Sequence, residues 1–153
     1  MALAFLALTW QTVCDGETIR MNELPMTRLE GIRSSYLCHG LSDEEVNKIA
    51  HMAQEVEFKS GDVVLRQFEH DTDLYVVLDG KVVIHASNGD FVARIKVGGV
   101  FGEIALIDER PRSATVCAEA DSCLAMIPAA AVRRLMDEDP KMAVKILRNL
   151  GKT

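Results

Sequence analysis

Two residues nine positions apart, Glu103 and Arg112, carry the chemistry that this sequence offers most plainly, and both lie in FGEIALIDERPRSATV, residues 101–116. Arg112 brings a planar guanidinium whose fork matches phosphate geometry, and Pro111 fixes the chain's approach to it. Gly98, Gly99 and Gly102 let the backbone turn tightly and come close to another group. The run EIALI has room for about one helical turn, whose first N–H groups lack partners and attract anions. One side of the segment therefore suits a phosphate, held by Arg112 and by backbone N–H groups near Ala105, Ser113 and Ala114. The carboxylate of Glu103 repels a phosphate but accepts from hydroxyl hydrogens, such as those of a ribose. Phosphate at one edge and sugar hydroxyls at the other describe a nucleotide. A turn this short suits a phosphate folded compactly onto its sugar.

The elements around this segment must hold it at the end of a sheet. VVLR (63–66), LYVVL (74–78), KVVIHA (81–86), FVARIKV (91–97), SATVCA (113–118) and SCLAMI (122–127) are short apolar runs rich in Val, Ile and Leu. Asp79-Gly80 and Asn88-Gly89 between such runs are strong hairpin signals, so the spacing predicts an antiparallel sandwich or barrel. Before the strands, LSDEEVNKIAHMAQ predicts a helix capped by Ser42 with Glu45 completing a capping box. After them, Pro128 opens AAAVRRLM, and Asp139-Pro140 supplies a cap and a first-turn proline for KMAVKILRNL. The fold class expected is α+β. It is an antiparallel, jelly-roll-like β-roll of about eight strands with a helix before it, helices after it, and a one-turn cassette helix between two strands. Residues 1–34 read as a helical segment and connector, and 35–153 as the domain proper.

At 153 residues the chain fits one domain with a real core. A formal net charge of −6 argues against a nucleic-acid surface, though a single basic pocket can still take one anion. Cys14, Cys38, Cys117 and Cys123 show no metal-binding spacing, and His39, His51 and His85 are scattered, so no metal and no cofactor are expected. His70-Asp71 could suggest a metal phosphohydrolase, but such sites need further His and Asp ligands on helices. The pair reads as a solvated turn and the protein as no enzyme. MALAFLALTW at the start has no basic residue before its apolar run and is too short to span a bilayer. It reads as one face of a terminal helix in a cytoplasmic protein.

The quoted stretch resembles the phosphate-binding cassette of the cyclic-nucleotide-binding domain family, found in cyclic-nucleotide-dependent kinases, gated channels and bacterial catabolite activators. Phe101, Gly102, Glu103, Ala105, Leu106, Pro111, Arg112, Ala114, Thr115 and Val116 fall in its pattern without insertions, and the similarity covers roughly residues 35–150. The resemblance implies that Arg112 pairs with a cyclic phosphate and Glu103 holds the ribose 2′-hydroxyl. Backbone groups at Gly102, Ala105 and Ser113 would complete the clamp, with Ile104 and Val100 packed nearby. It also implies a ligand, cyclic AMP or cyclic GMP, in a regulatory module that shifts its flanking helices to signal to an attached or partner effector. A membrane enters only if the module belongs to a larger transporter or channel. Ser113 stands where the family's cyclic AMP kinases tend to have alanine and its cyclic GMP responders threonine, so both nucleotides are expected to bind.

Two departures stand against the resemblance. Phe68 occupies a turn where many members carry glycine, which strains the chain if that position needs positive φ. Members usually continue into a further helix that closes over the base, whereas this sequence stops at Thr153. The alternative reading is a degenerate copy that keeps the fold and serves as a docking module.

Overall fold

The structure is a computed structural model that describes residues 25–108 and 110–151. The expected first helix and Cys14 lie outside those residues. The first described helix, α1 (Arg28–Ser34), begins at a capping box in which the Thr27 hydroxyl accepts from the Glu30 N–H while the Glu30 carboxylate accepts from the Thr27 N–H. A 3₁₀ turn, Tyr36–Cys38, leads to α2 (Asp43–Met52), whose Ser42–Glu45 box is the one expected from the sequence.

Eight strands follow: β1 (Gln54–Phe58), β2 (Val63–Leu65), β3 (Asp73–Asp79), β4 (Lys81–His85), β5 (Phe91–Lys96), β6 (Val100–Phe101), β7 (Thr115–Ala118) and β8 (Ser122–Pro128). They form two antiparallel sheets of four, ordered β1-β8-β3-β6 and β2-β7-β4-β5. Two helices close the chain, α3 (Ala129–Glu138) and α4 (Pro140–Gly151), and the Asp139 carboxylate accepts from the Met142 N–H at the start of α4.

Strand β3 shows why the sequence makes a layered molecule. Its residues 74–78 are all buried, and their period-two alternation sends them to different cores. Tyr75 and Val77 join Leu65, Val82, Phe101, Val116 and Leu124 between the sheets. Leu74, Val76 and Leu78 join Ile32, Val46, Ile49, Val132, Met142 and Ile146 beneath the helices. Burying one such side chain contributes roughly 1.5–3 kcal/mol, so a strand loaded on both faces anchors both layers. Ile32 belongs to α1, and the Met26 N–H donates to the Leu78 carbonyl at 2.7 Å. The stretch read as a connector thus ends inside the roll's own core.

Six of the strands and both closing helices lie where the sequence predicts them. Strands β1 and β6 are additions. β1 (QEVEF) is an edge strand with Gln54, Glu55 and Glu57 exposed, so its polarity hides it, and β6 is only two residues long.

Candidate functional site

Strand β6 runs off the sheet at Phe101, whose ring stacks on Tyr75 with centroids 5.1 Å apart. Burial first, and then the nearby Asp73 and Asp71 carboxylates, push the Tyr75 phenol up to about 12. Gly102 then takes φ 80, a left-handed turn. A Cβ here would stand 2.9 Å from the Asp73 carbonyl oxygen and 3.0 Å from Arg112 Nη1, so the position needs glycine for space as well as for φ. The expected helical turn follows as a 3₁₀ turn, Glu103–Leu106, with Ala105 and Leu106 buried against the helices and Ile104 exposed.

Val100, Gly102, Glu103, Ile104, Ala105, Arg112, Ser113 and Ala114, the eight residues singled out from the sequence, line one cleft of about 580 Å³. Its apolar wall comes from Leu65, Ile84, Ile95 and Val116 of the strands. That size and mixture suit a small ligand with an apolar body and a polar edge.

Arg112 is the most constrained group in the cleft, its side chain only 9% exposed. Its Nε donates to Asp71 Oδ1 at 2.8 Å and its Nη2 to Asp71 Oδ2 at 3.1 Å, a bidentate pair. Nη2 also donates to the Asp73 carbonyl, and Nη1 donates to the Gly102 carbonyl at 3.3 Å. Of the five guanidinium N–H donors, these bonds engage four and leave one on Nη1. The backbone of Arg112 is clipped as well: its N–H donates to the Glu69 carbonyl and its carbonyl accepts from the Phe68 N–H, each at 2.8 Å.

This arrangement corrects two sequence readings. Asp71 is no solvated turn residue, because it orients the guanidinium from 41 positions away. The Phe68 loop, distant from the cassette in sequence, is the mount on which Arg112 sits. Phe68 itself takes φ 73 with its side chain 72% exposed, so the positive φ that the glycine pattern implied is present and a phenylalanine bears it. No sequence signal tied Asp71 to Arg112, since the partners meet only through the fold.

The expected backbone donors divide. The Ala105 N–H is engaged locally with the Gly102 carbonyl at 3.3 Å, while the Ser113 and Ala114 N–H groups meet no acceptor among the described residues. The Ser113 carbonyl accepts from Gln67 Nε2, leaving its hydroxyl directed by no hydrogen bond among those residues. Burial, and next the Asp71 charge, raise the Asp73 carboxyl above its ordinary range, with Arg112 opposing.

Glu103 contrasts with Arg112, since no hydrogen bond of regular geometry holds its carboxylate among the described residues. Its neighbour is Tyr36, whose hydroxyl is buried and has no hydrogen-bond partner of regular geometry among the described residues. Burial first, and then the charge and proximity of Glu103, raise that phenol well above its usual pKa.

The family model described as the cyclic nucleotide-binding domain matches residues 55–139, and the chain belongs to that family. It is 34% identical over 141 residues to the cAMP-dependent protein kinase regulatory subunit of Dictyostelium discoideum, covering 82% of this chain and 43% of that protein. The chain therefore spans less than half of this curated relative. Among solved structures, the N-terminal domain of a transcriptional regulator from Streptomyces coelicolor superposes with a TM-score of 0.72 at 26% identity, covering 80% of this chain and 90% of that one. The regulatory domain of Toxoplasma gondii PKA, crystallised with cAMP, superposes with a TM-score of 0.66 at 29% identity, covering 77% and 49%. No helix among the described residues is long and apolar enough to cross a membrane.

Proposed function

We propose that this chain is a sensor module that binds cyclic AMP or cyclic GMP in the cleft between the cassette turn and the roll. The carrying observation is that one guanidinium N–H and the Ser113 and Ala114 N–H groups meet no acceptor among the described residues, and that Arg112, Ser113, Ala114 and the carboxylate-bearing Glu103 line one cleft with an apolar wall. A cyclic phosphate takes the donors, the ribose 2′-hydroxyl donates to Glu103, and the sugar and base lie on the apolar wall. Val100, Gly102, Ile104 and Ala105 shape that surface. Family membership and the cAMP-bound Toxoplasma relative support the ligand class.

The module does no chemistry on its ligand. Asp71 is committed to Arg112, which removes the His70-Asp71 pair as a candidate metal site. Binding changes the balance between positions of the flanking helices, and an attached or partner effector reads that change. No nucleic acid takes part.

Isothermal titration of the full chain with cyclic AMP, cyclic GMP and linear AMP tests the reading. Saturable binding of a cyclic nucleotide, with linear AMP at least tenfold weaker, is expected. One observation favours a second reading, a degenerate docking copy: most of the Arg112 fork is already filled by protein. The absence of heat with either cyclic nucleotide would establish that second reading.

A further inference from the structure

The Glu103 end of the cleft has a neighbour that the nucleotide reading leaves unused. Tyr36 lies in the 3₁₀ turn between α1 and α2, and its ring packs against the core that contains Ala105 and Leu106, the two buried residues of the cassette turn. Its hydroxyl oxygen is closed off from water without a hydrogen-bond partner. Buried hydroxyls are nearly always satisfied, and an orphan of this kind calls for an explanation. The Glu103 carboxylate is near enough to act on the phenol by its charge and by hydrogen-bonding proximity, yet no bond of regular geometry joins the two. Donor and acceptor are neighbours that have not joined.

We propose that Tyr36 is a positioning residue for Glu103: when a ribose hydroxyl engages one carboxylate oxygen, the Tyr36 O–H closes a hydrogen bond to the carboxylate and fixes it from behind. The proposal rests on the nucleotide reading above. A carboxylate offers about four lone-pair sites on two oxygens, so phenol and ribose add rather than compete. The turn that carries Tyr36 is a firm base, because Asn149 of α4 donates through Nδ2 to the carbonyls of Leu37 and His39, at 2.8 and 2.9 Å. Ligand engagement then brings together two groups between which the protein makes no bond of regular geometry, the carboxylate and the phenol.

The test is Tyr36→Phe in the full chain, which keeps the ring and removes the O–H. Titrations with cyclic AMP and with 2′-deoxy cyclic AMP are run on the parent, Tyr36→Phe, Glu103→Ala and the double variant, with Arg112→Ala as control. Tyr36→Phe should weaken cyclic AMP about three- to tenfold, the reach of one net hydrogen bond. It should leave 2′-deoxy cyclic AMP within twofold and add no loss in the Glu103→Ala background. Without ligand, its melting temperature should equal or exceed the parent's, because an orphan polar group is gone. Equal losses for both nucleotides, unchanged or tighter cyclic AMP binding, or a lower ligand-free melting temperature would each overturn the role. If Arg112→Ala abolishes binding while Tyr36→Phe changes nothing, only the Tyr36 role falls. If the parent binds no cyclic nucleotide, or Arg112→Ala binds like the parent, the nucleotide reading falls and takes this role with it.

Discussion

At Arg112 the protein already makes the contacts that orient the functional group, whereas at Glu103 the described residues make none of regular geometry. Asp71, the Asp73 and Gly102 carbonyls and two backbone bonds from the Phe68 loop hold Arg112. Among the described residues the neighbour of the Glu103 carboxylate is the Tyr36 phenol, to which no bond of regular geometry runs. Pre-organised groups lose little freedom on binding, and unordered ones must be ordered by the ligand. Under the proposed function the difference implies a division of labour, with Arg112 as the source of affinity and Glu103 as the test of the ligand's sugar.

Removing the pre-built end should have the largest effect. Arg112→Ala leaves the phosphate without its cation and Asp71 without its partner, a cost of about 3–5 kcal/mol. Titration should show cyclic nucleotide affinity lower by about two to four orders of magnitude. The melting temperature should fall as well, since the same guanidinium ties β3 to the cassette. A variant that binds within threefold of the parent would break the comparison at its root.

Glu103→Ala should cost less, about 1.5–3 kcal/mol, the worth of a hydrogen bond to a charged group. Its melting temperature should match the parent's, because that carboxylate holds nothing else in place. A fall in stability as large as that of Arg112→Ala would show that the two ends are built alike.

Ser113→Ala probes the boundary between the ends. Ser113 lines the cleft beside Arg112, and neither its N–H nor its hydroxyl meets an acceptor among the described residues. A neutral hydrogen bond nets about 0.5–1.5 kcal/mol, so the substitution should lower cyclic GMP affinity by about tenfold or less and spare cyclic AMP. Parallel titrations that move together, or do not move, would remove Ser113 from selectivity.

Phe68→Gly should have the smallest effect and an opposite sign. A non-glycine residue in left-handed backbone costs roughly 1–2 kcal/mol, and glycine's extra freedom in the unfolded chain offsets part of that. The exposed ring surrenders little packing, so the melting temperature should rise by a few degrees, about 0.5–1 kcal/mol, with affinity within threefold. A lower melting temperature would mean that the ring makes contacts worth more than the strain.

The parts of this molecule that were legible in the sequence share a property: their signal is local. The cassette could be read because glycine, carboxylate, proline and arginine lie within a dozen residues, and their order alone implies a turn with an anion at one end. Strand β3 was legible as an apolar run, although only the fold shows that its odd and even residues serve different cores. What escaped was long-range or polar. The Asp71–Arg112 pair joins residues on either side of four strands, and nothing near Asp71 hints at it. Strand β1 looks like a loop because its outer face is charged, and it is a strand only because β8 supplies the ladder. Tyr36 sits in a short turn with no periodicity, and its importance comes from what the cassette brings to it.

The last helix grips that same turn and the first turn of α2. Buried Asn149 uses its amide on the carbonyls of Leu37 and His39, and Lys145, one turn earlier, reaches the Glu45 carboxylate at 2.9 Å. Glu45 is held below the ordinary carboxylate range, first by its hydrogen bond from the Ser42 backbone and then by Lys145. Two attachments separated along a rod remove both sliding and swivelling, as two bolts fix a bracket where one would leave a pivot. Helix α4, the Tyr36 turn and the start of α2 are therefore tied at two points rather than hinged at one.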